Sequence, residues 1–170
     1  SWNTFEYDIY DRVKTVFEPK LVSTPEWSGL FSTTKYDVYG RAIQNVDFKG
    51  KTTNIKYVGL TTTSSDGISN SSATKNSVGN IVSMTDNGGT ITYQYYANGN
   101  LKQSNFNGVI VAIEQDGWGR KTKLIDPSAG TYEYQYNEFG EMKKEITPKG
   151  ITNYTIDNFG KKKKKTITGT

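Results

Sequence analysis

A glycine that returns about every 20 residues constrains this chain more than any other feature. In the segments YYANGN, QDGWGR, YNEFGE and IDNFGK the glycines are Gly99, Gly119, Gly140 and Gly160, at steps of 20, 21 and 20 residues. The same frame runs back through SVGN, YVGL and YDVYGR to Gly79, Gly59 and Gly40, at steps of 20, 20 and 19. A fixed period of this size belongs to repeat architectures, in which one short unit cannot bury its apolar face alone and stacks on its neighbours.

Each unit carries a second break roughly midway, at Lys49-Gly50, Gly88-Gly89, Gly108, Ser128-Ala129-Gly130, Lys149-Gly150 and Gly169. Two turn signals per unit leave runs of about seven residues, which is strand length and too short for a stable helix. The residues eight, six and four places before the frame glycine read Ile91/Tyr93/Tyr95, Val111/Ile113/Gln115, Tyr132/Tyr134/Tyr136 and Thr152/Tyr154/Ile156. Their neighbours read Thr90/Thr92/Gln94, Ile110/Ala112/Glu114, Thr131/Glu133/Gln135 and Ile151/Asn153/Thr155. Since side chains alternate across a strand, one face is largely aromatic and aliphatic and the other mostly polar. The aromatic face is expected to be the packed one, with Tyr134 on it and Glu133 off it.

The full form of the motif is YDVYGRAIQNVDFKGKTTNIKY: Tyr-Asp, two residues, Gly-Arg, then an Asp and a Gly before a Thr/Tyr strand. This series resembles the YD-repeat, or RHS-repeat, family over most of the chain. Only Tyr36 to Arg41 matches it in full, while QDGWGR, YNEFGE and IDNFGK keep part of it. The resemblance implies a ribbon of antiparallel strands wound into a hollow shell. Bacterial secreted toxins use such a shell to enclose a passenger domain, and teneurin-like animal surface proteins carry one too.

Absent residues remove whole chemistries. With no His and no Cys, the chain cannot hold a Ser-His triad, a Cys nucleophile, a structural zinc site or a disulfide. No apolar run approaches the length that spans a membrane, and no signal peptide is present. The chain starts at Ser1 and stops in mid-pattern at Thr170, so it reads as a piece of a longer protein. A hydrophobic fraction of 34% and a mean hydropathy of −0.68 are low for a compact core and suit an open or curled single layer.

Near the N-terminus, Tyr7-Asp8-Ile9-Tyr10-Asp11-Arg12 parallels YDVYGR with Asp11 in the glycine's place. Asp tolerates the left-handed conformation such a turn demands. From Asp11 to Gly40 is 29 residues, and the excess lies in EPKLVSTPEWSGLF. Pro19 and Pro25 rule out a continuous central strand there, so an extended loop is expected, with Trp27 either anchored on the sheet or offered as a ligand platform. Residues 61–77 look like a linker, 12 of the 17 being Thr, Ser or Asn. Yet Asp66 follows Gly59 by seven residues, as Asp47 follows Gly40, Asp86 follows Gly79 and Asp126 follows Gly119. A linker has no reason to keep that register, so a further hairpin is expected.

Those four aspartates could bind calcium in a row or simply set their turns by accepting the backbone N–H two residues on. The turn role is favoured, because the row breaks at Phe106, Thr147 and Ile167 and no copy gathers several carboxylates. The frame arginines Arg41 and Arg120 give way elsewhere to Asn80, Asn100, Glu141 and Lys161. Their expected role is structural: a stem over Tyr or Trp rings, or a pair with the Asp of a neighbouring copy. Lys161 to Lys165 against Asp157 carry the whole net charge of +4, the other 150 residues being balanced. Placed on an exposed terminal strand, they read as a guard against edge pairing rather than a polyanion site.

Together these features predict an all-β array of antiparallel hairpins, about 20 residues per unit, in one twisted or curling, shell-like sheet. Residues 1–170 are expected to be one array, with 1–35 a degenerate first unit carrying an inserted loop and 36–170 regular repeats. The function this implies is a non-catalytic shell segment of a large secreted or cell-surface bacterial protein, enclosing or presenting a toxin-like passenger. The alternative is a carbohydrate-binding or adhesive module that uses exposed Tyr and Trp rings. No catalytic, cofactor or metal set is assigned, and no ligand residue is singled out. Expected partners are the rest of the parent polypeptide and its passenger, with carbohydrate and a second copy of the fragment as further candidates, and no specific nucleic acid.

Overall fold

A computed structural model describes residues 4–18 and 29–169. The loop expected around Pro19, Pro25 and Trp27 therefore lies outside the described residues. The chain divides into two compact units, residues 1–88 and 89–170. The described residues hold sixteen strands and no helix.

In the first unit the strands are β1 (Phe5–Tyr7), β2 (Val13–Phe17), β3 (Phe31–Tyr36), β4 (Ala42–Val46), β5 (Thr52–Val58), β6 (Thr61–Ser65), β7 (Asn70–Lys75) and β8 (Ile81–Asp86). In the second they are β9 (Gly89–Tyr95), β10 (Leu101–Phe106), β11 (Val109–Gln115), β12 (Lys121–Asp126), β13 (Gly130–Tyr136), β14 (Met142–Thr147), β15 (Gly150–Ile156) and β16 (Lys162–Gly169). Within each unit every strand pairs antiparallel with the next in sequence. Such a ladder puts all odd-to-even connections of a unit on one rim and all even-to-odd connections on the other.

The frame glycines make the first rim, and they do so with one repeated turn. In the copy after β3, Gly40 N–H donates to the Asp37 carbonyl at 3.1 Å and Asp37 N–H to the Arg41 carbonyl at 2.9 Å. The same two bonds recur at Asp8, Asn76, Tyr96, Asp116, Asn137 and Asp157. Gly40 has φ +80°, and the strand register slips between Lys35 and Tyr36. This is a type I turn closed by a left-handed residue in a bulge, a common short hairpin connection. Asp11 fills the glycine's position with φ 60°, as the substitution pattern predicts.

One frame position departs from the series. Val58 pairs with Thr61 in unbroken register, so Gly59-Leu60 is a tight two-residue turn. The glycine period holds there, but the Asx residue and the bulge do not. The hydroxyl-rich segment that follows forms a hairpin as expected, β6 paired with β7 along its length, with Thr61 and Thr74 hydroxyls 2.9 Å apart and Ser64 and Ser71 hydroxyls 2.8 Å apart.

The two-face expectation needs correction in degree. In β9, Ile91, Tyr93 and Tyr95 are half-buried while Thr90, Thr92 and Gln94 are exposed; in β13, Tyr132, Tyr134 and Tyr136 are half-buried and Thr131 and Gln135 exposed, but Glu133 is half-buried too. Yet no hydrophobic side chain among the described residues is fully buried. Each unit is a single layer whose tyrosines are covered only by lateral neighbours, so its aromatic face is partly shielded and is not a packed core. β16 pairs with β15 along its whole length, and all of its residues are exposed.

Candidate functional site

The frame turn is also where the chain's distinctive side chains meet. Asp37 Oδ1 accepts the amides of Tyr39 and Arg41, both at 2.9 Å, which fixes the turn from inside. Its second oxygen takes Arg41 Nε at 2.8 Å and Nη2 at 2.7 Å, a two-pronged grip. The guanidinium so held lies between two rings, 5.2 Å from the centroid of Tyr39 in its own turn and 4.3 Å from that of Tyr57 in the next hairpin.

Two other copies build the same clasp. Arg12 is gripped by Asp8 and sits between Tyr10 and Tyr36, while Arg120 is gripped by Asp116 and sits between Trp118 and Tyr136. The tyrosine of the following hairpin then reaches back. Tyr36, Tyr57 and Tyr136 donate their hydroxyls to the carbonyls of Val13, Ala42 and Lys121, the residues just after each arginine, at 2.7, 3.0 and 2.8 Å. The frame arginine therefore pairs with the aspartate of its own copy, not of a neighbouring one, and binds the neighbour through its ring and backbone. Asp and Arg stand four positions apart across a bulged turn, which brings the two head groups together on one side.

Where the arginine is replaced, smaller clasps appear. Asn137 Nδ2 donates to Glu141 Oε2 at 2.6 Å, and Asn100 Nδ2 donates to the Gly119 carbonyl of the next frame turn at 3.0 Å. One residue past the frame position, Lys162 places its ammonium 4.2 Å from the Tyr154 ring.

Electrostatics follow the geometry. The Arg12 hydrogen bond is the main cause that holds the Asp8 carboxyl below its ordinary range. At Asp37 and Asp116 partial burial pushes the carboxyl up, but hydrogen bonds from the arginine amide and guanidinium outweigh it, and the net direction is down. Desolvation pushes the Tyr136 phenol up.

The aspartates at the other rim behave as turn formers. Asp47, Asp66, Asp86 and Asp126 accept the amides of Lys49, Ile68, Gly88 and Ser128, each two residues on, at 2.8 to 2.9 Å. At one of the breaks in the row, Thr147 does the same with its hydroxyl, accepting Lys149 N–H at 3.2 Å. Asp66 also holds Lys51 at 2.5 Å, which drives its carboxyl well below the usual range and raises Lys51. Asp66 and Asp86 border an open recess of about 300 Å³, with Thr53, Ser64 and Ser71. Among the described residues no three acidic side chains converge closely enough to hold a metal ion.

The Tc holotoxin pore of Photorhabdus luminescens matches with a TM-score of 0.69 at 16% identity, over 90% of this chain and 10% of that one. A TcdB2–TccC3–Cdc42 structure matches with 0.73 at 16%, over 96% and 11%. A TcdB2–TccC3 structure without its hypervariable C-terminal region matches with 0.72 at 16%, over 96% and 10%. The shared property is the fold. This chain spans about a tenth of the length of the chains it matches. No family model matches it, and no curated protein matches it in sequence.

Sequence reasoning overlooked one element of this rim. The residue before the frame glycine is large and apolar in most copies, and it points into solvent: Tyr10, Tyr39, Val78, Trp118, Phe139 and Phe159 are all largely exposed. The signal was present in the segments WGR, FGE and FGK, but strand-face periodicity does not extend into turns.

Proposed function

We propose that this chain is a non-catalytic shell segment of a large secreted or cell-surface protein of the YD-repeat type, whose ribbon encloses or presents a toxin-like passenger domain. The observation that carries this reading is the clasp. Its Asp, Arg and ring residues are spent on joining each hairpin to the next, as a propagating wall requires, and they converge on no cavity where a substrate could react. A ribbon built this way gains stability from each added neighbour. The fold shared with Tc toxin structures supports the same reading.

Electron microscopy of the parent polypeptide tests the proposal. A hollow shell with density inside its lumen is the expected result. An extended ribbon with no enclosed volume would overturn it.

A further inference from the structure

The outer edge of β16 is open and carries charge of one sign. Among the described residues this strand pairs with β15 alone, so its other edge presents unpaired N–H and C=O groups. Lys162 to Lys165 fill its first half, and all of its residues are exposed. The lysines leave by both faces. Lys165 stands opposite Tyr154, and Lys162 lies over that ring at 4.2 Å, on the tyrosine face, whereas Lys164 stands opposite Thr155 on the other.

No carboxylate among the described residues pairs with these lysines. β15 has no charged residue. Asp157 Oδ1 is taken by the amides of Phe159 and Lys161, both at 2.9 Å. Glu141 accepts Asn137 Nδ2 at 2.6 Å and lies against Gly160. Glu145 stands two strands away, level with Ile167 and not with a lysine.

We infer that this edge receives an extended acidic peptide segment as a further antiparallel strand. An open edge supplies hydrogen-bonding groups at strand spacing, which only a peptide backbone can complete. The lysines then select among strands. A basic segment would add like charge, and a neutral one, the Thr-Ile-Thr half of a second β16 included, leaves four adjacent cations uncompensated. An acidic run neutralises them on both faces. Direction follows as well. Every pairing within this unit is antiparallel, so the acidic residues opposite Lys162 to Lys165 belong in the C-terminal half of the incoming strand, and its N-terminal half faces Thr166 to Thr168. The inference rests on the open edge and its charge, and it stands or falls apart from the shell reading.

Titration of the 170-residue chain tests it, from about 1 μM to 1 mM, with a labelled peptide as long as β16, neutral in its N-terminal half and all glutamate in its C-terminal half. Binding is expected, with new hydrogen-exchange protection confined to the amides of β16. The same peptide in reverse order should bind at least about tenfold more weakly, because its glutamates meet the lysines only in a parallel or slipped pairing. Lys162→Glu, Lys163→Glu, Lys164→Glu and Lys165→Glu together should abolish capture of the acidic peptide and create capture of its lysine analogue. Absence of binding by the unaltered chain overturns the inference. Equal binding of both orders without protection overturns it in favour of a plain polyanion surface, and equal protection by a glutamine peptide in favour of an edge that accepts any strand. A chain that dimerises with the β16 edge already protected before peptide is added overturns it in favour of a second copy.

Discussion

The guanidinium of Arg120 lies 4.8 Å from the ring of Tyr136, a residue one hairpin further along the chain. Its Nε is at the same time 2.6 Å from Asp116 in its own turn. One side chain thus closes a local turn and covers the next strand's aromatic ring. In a single-layer sheet such lateral contacts must replace the opposing layer that shields the face of a sandwich.

Tyr136 contributes to that contact through its hydroxyl as well as its ring. Tyr136→Phe keeps the ring and removes the bond to the Lys121 carbonyl, so it should cost about 0.5–1.5 kcal/mol. Arg120→Lys should also destabilise, because an ammonium cannot give the two-pronged grip and the flat stacking surface together. A double-mutant cycle read by urea unfolding should show coupling between the two positions. Simple additivity would mean that the clasp is two unrelated contacts.

The half-covered face predicts a moderate penalty for losing a ring. With no cavity left behind, Tyr134→Ala should lose only the transfer of partly shielded surface, about 1–2 kcal/mol. That is less than the roughly 3 kcal/mol expected of an aromatic in a closed core. Glu133→Ala, whose nearest cation is Lys123 at 3.8 Å, should cost under about 0.5 kcal/mol. Equal effects at the two positions, measured by thermal unfolding, would refute the face assignment.

Gly150 is held by its surroundings as well as by its φ of +141°. A Cβ there would run into the Thr168 carbonyl of β16, a backbone atom that no rotamer change can move. Gly150→Ala should therefore displace the C-terminal part of β16 and cost about 1–3 kcal/mol. Hydrogen exchange should show loss of protection at Thr166 to Gly169 and little change at β13. Unchanged protection across β16 would contradict the pairing of Gly150 with Gly169.

The clasp aspartates give the pH dependence its sign. Asp8, Asp37 and Asp116 are held below the ordinary value of 3.8 in the folded chain. Their contribution is therefore complete above the unfolded value and is lost as pH falls through the lower folded values. Stability should be level above about pH 5 and decline steeply below about pH 4. Asp37→Asn tests the source, since Asn76 and Asn137 already accept the corresponding amides in other copies. The variant should keep its turn and show a shallower acid decline in urea titrations between pH 2 and 7.

The sequence by itself determined the element count and the topology. Glycines at a fixed step, with alternation between them, leave only short strands joined by tight turns, and consecutive short connections leave only antiparallel neighbours. Even Asp11 and the hydroxyl-rich hairpin at residues 61–77 were legible, because turn chemistry is local and a residue within four positions satisfies it. What each arginine touches was not legible. The Asp partner lies four residues away only because the turn carries a bulge, and the ring above it belongs to a strand roughly 16 to 24 residues further on. The true extent of burial was hidden for a related reason: alternation says which side chains share a face and is silent on whether a second layer covers it. Gly59 shows the limit from the other side, since a glycine in phase can close a two-residue turn as readily as a bulged one, and only the register of β5 on β6 decides between them.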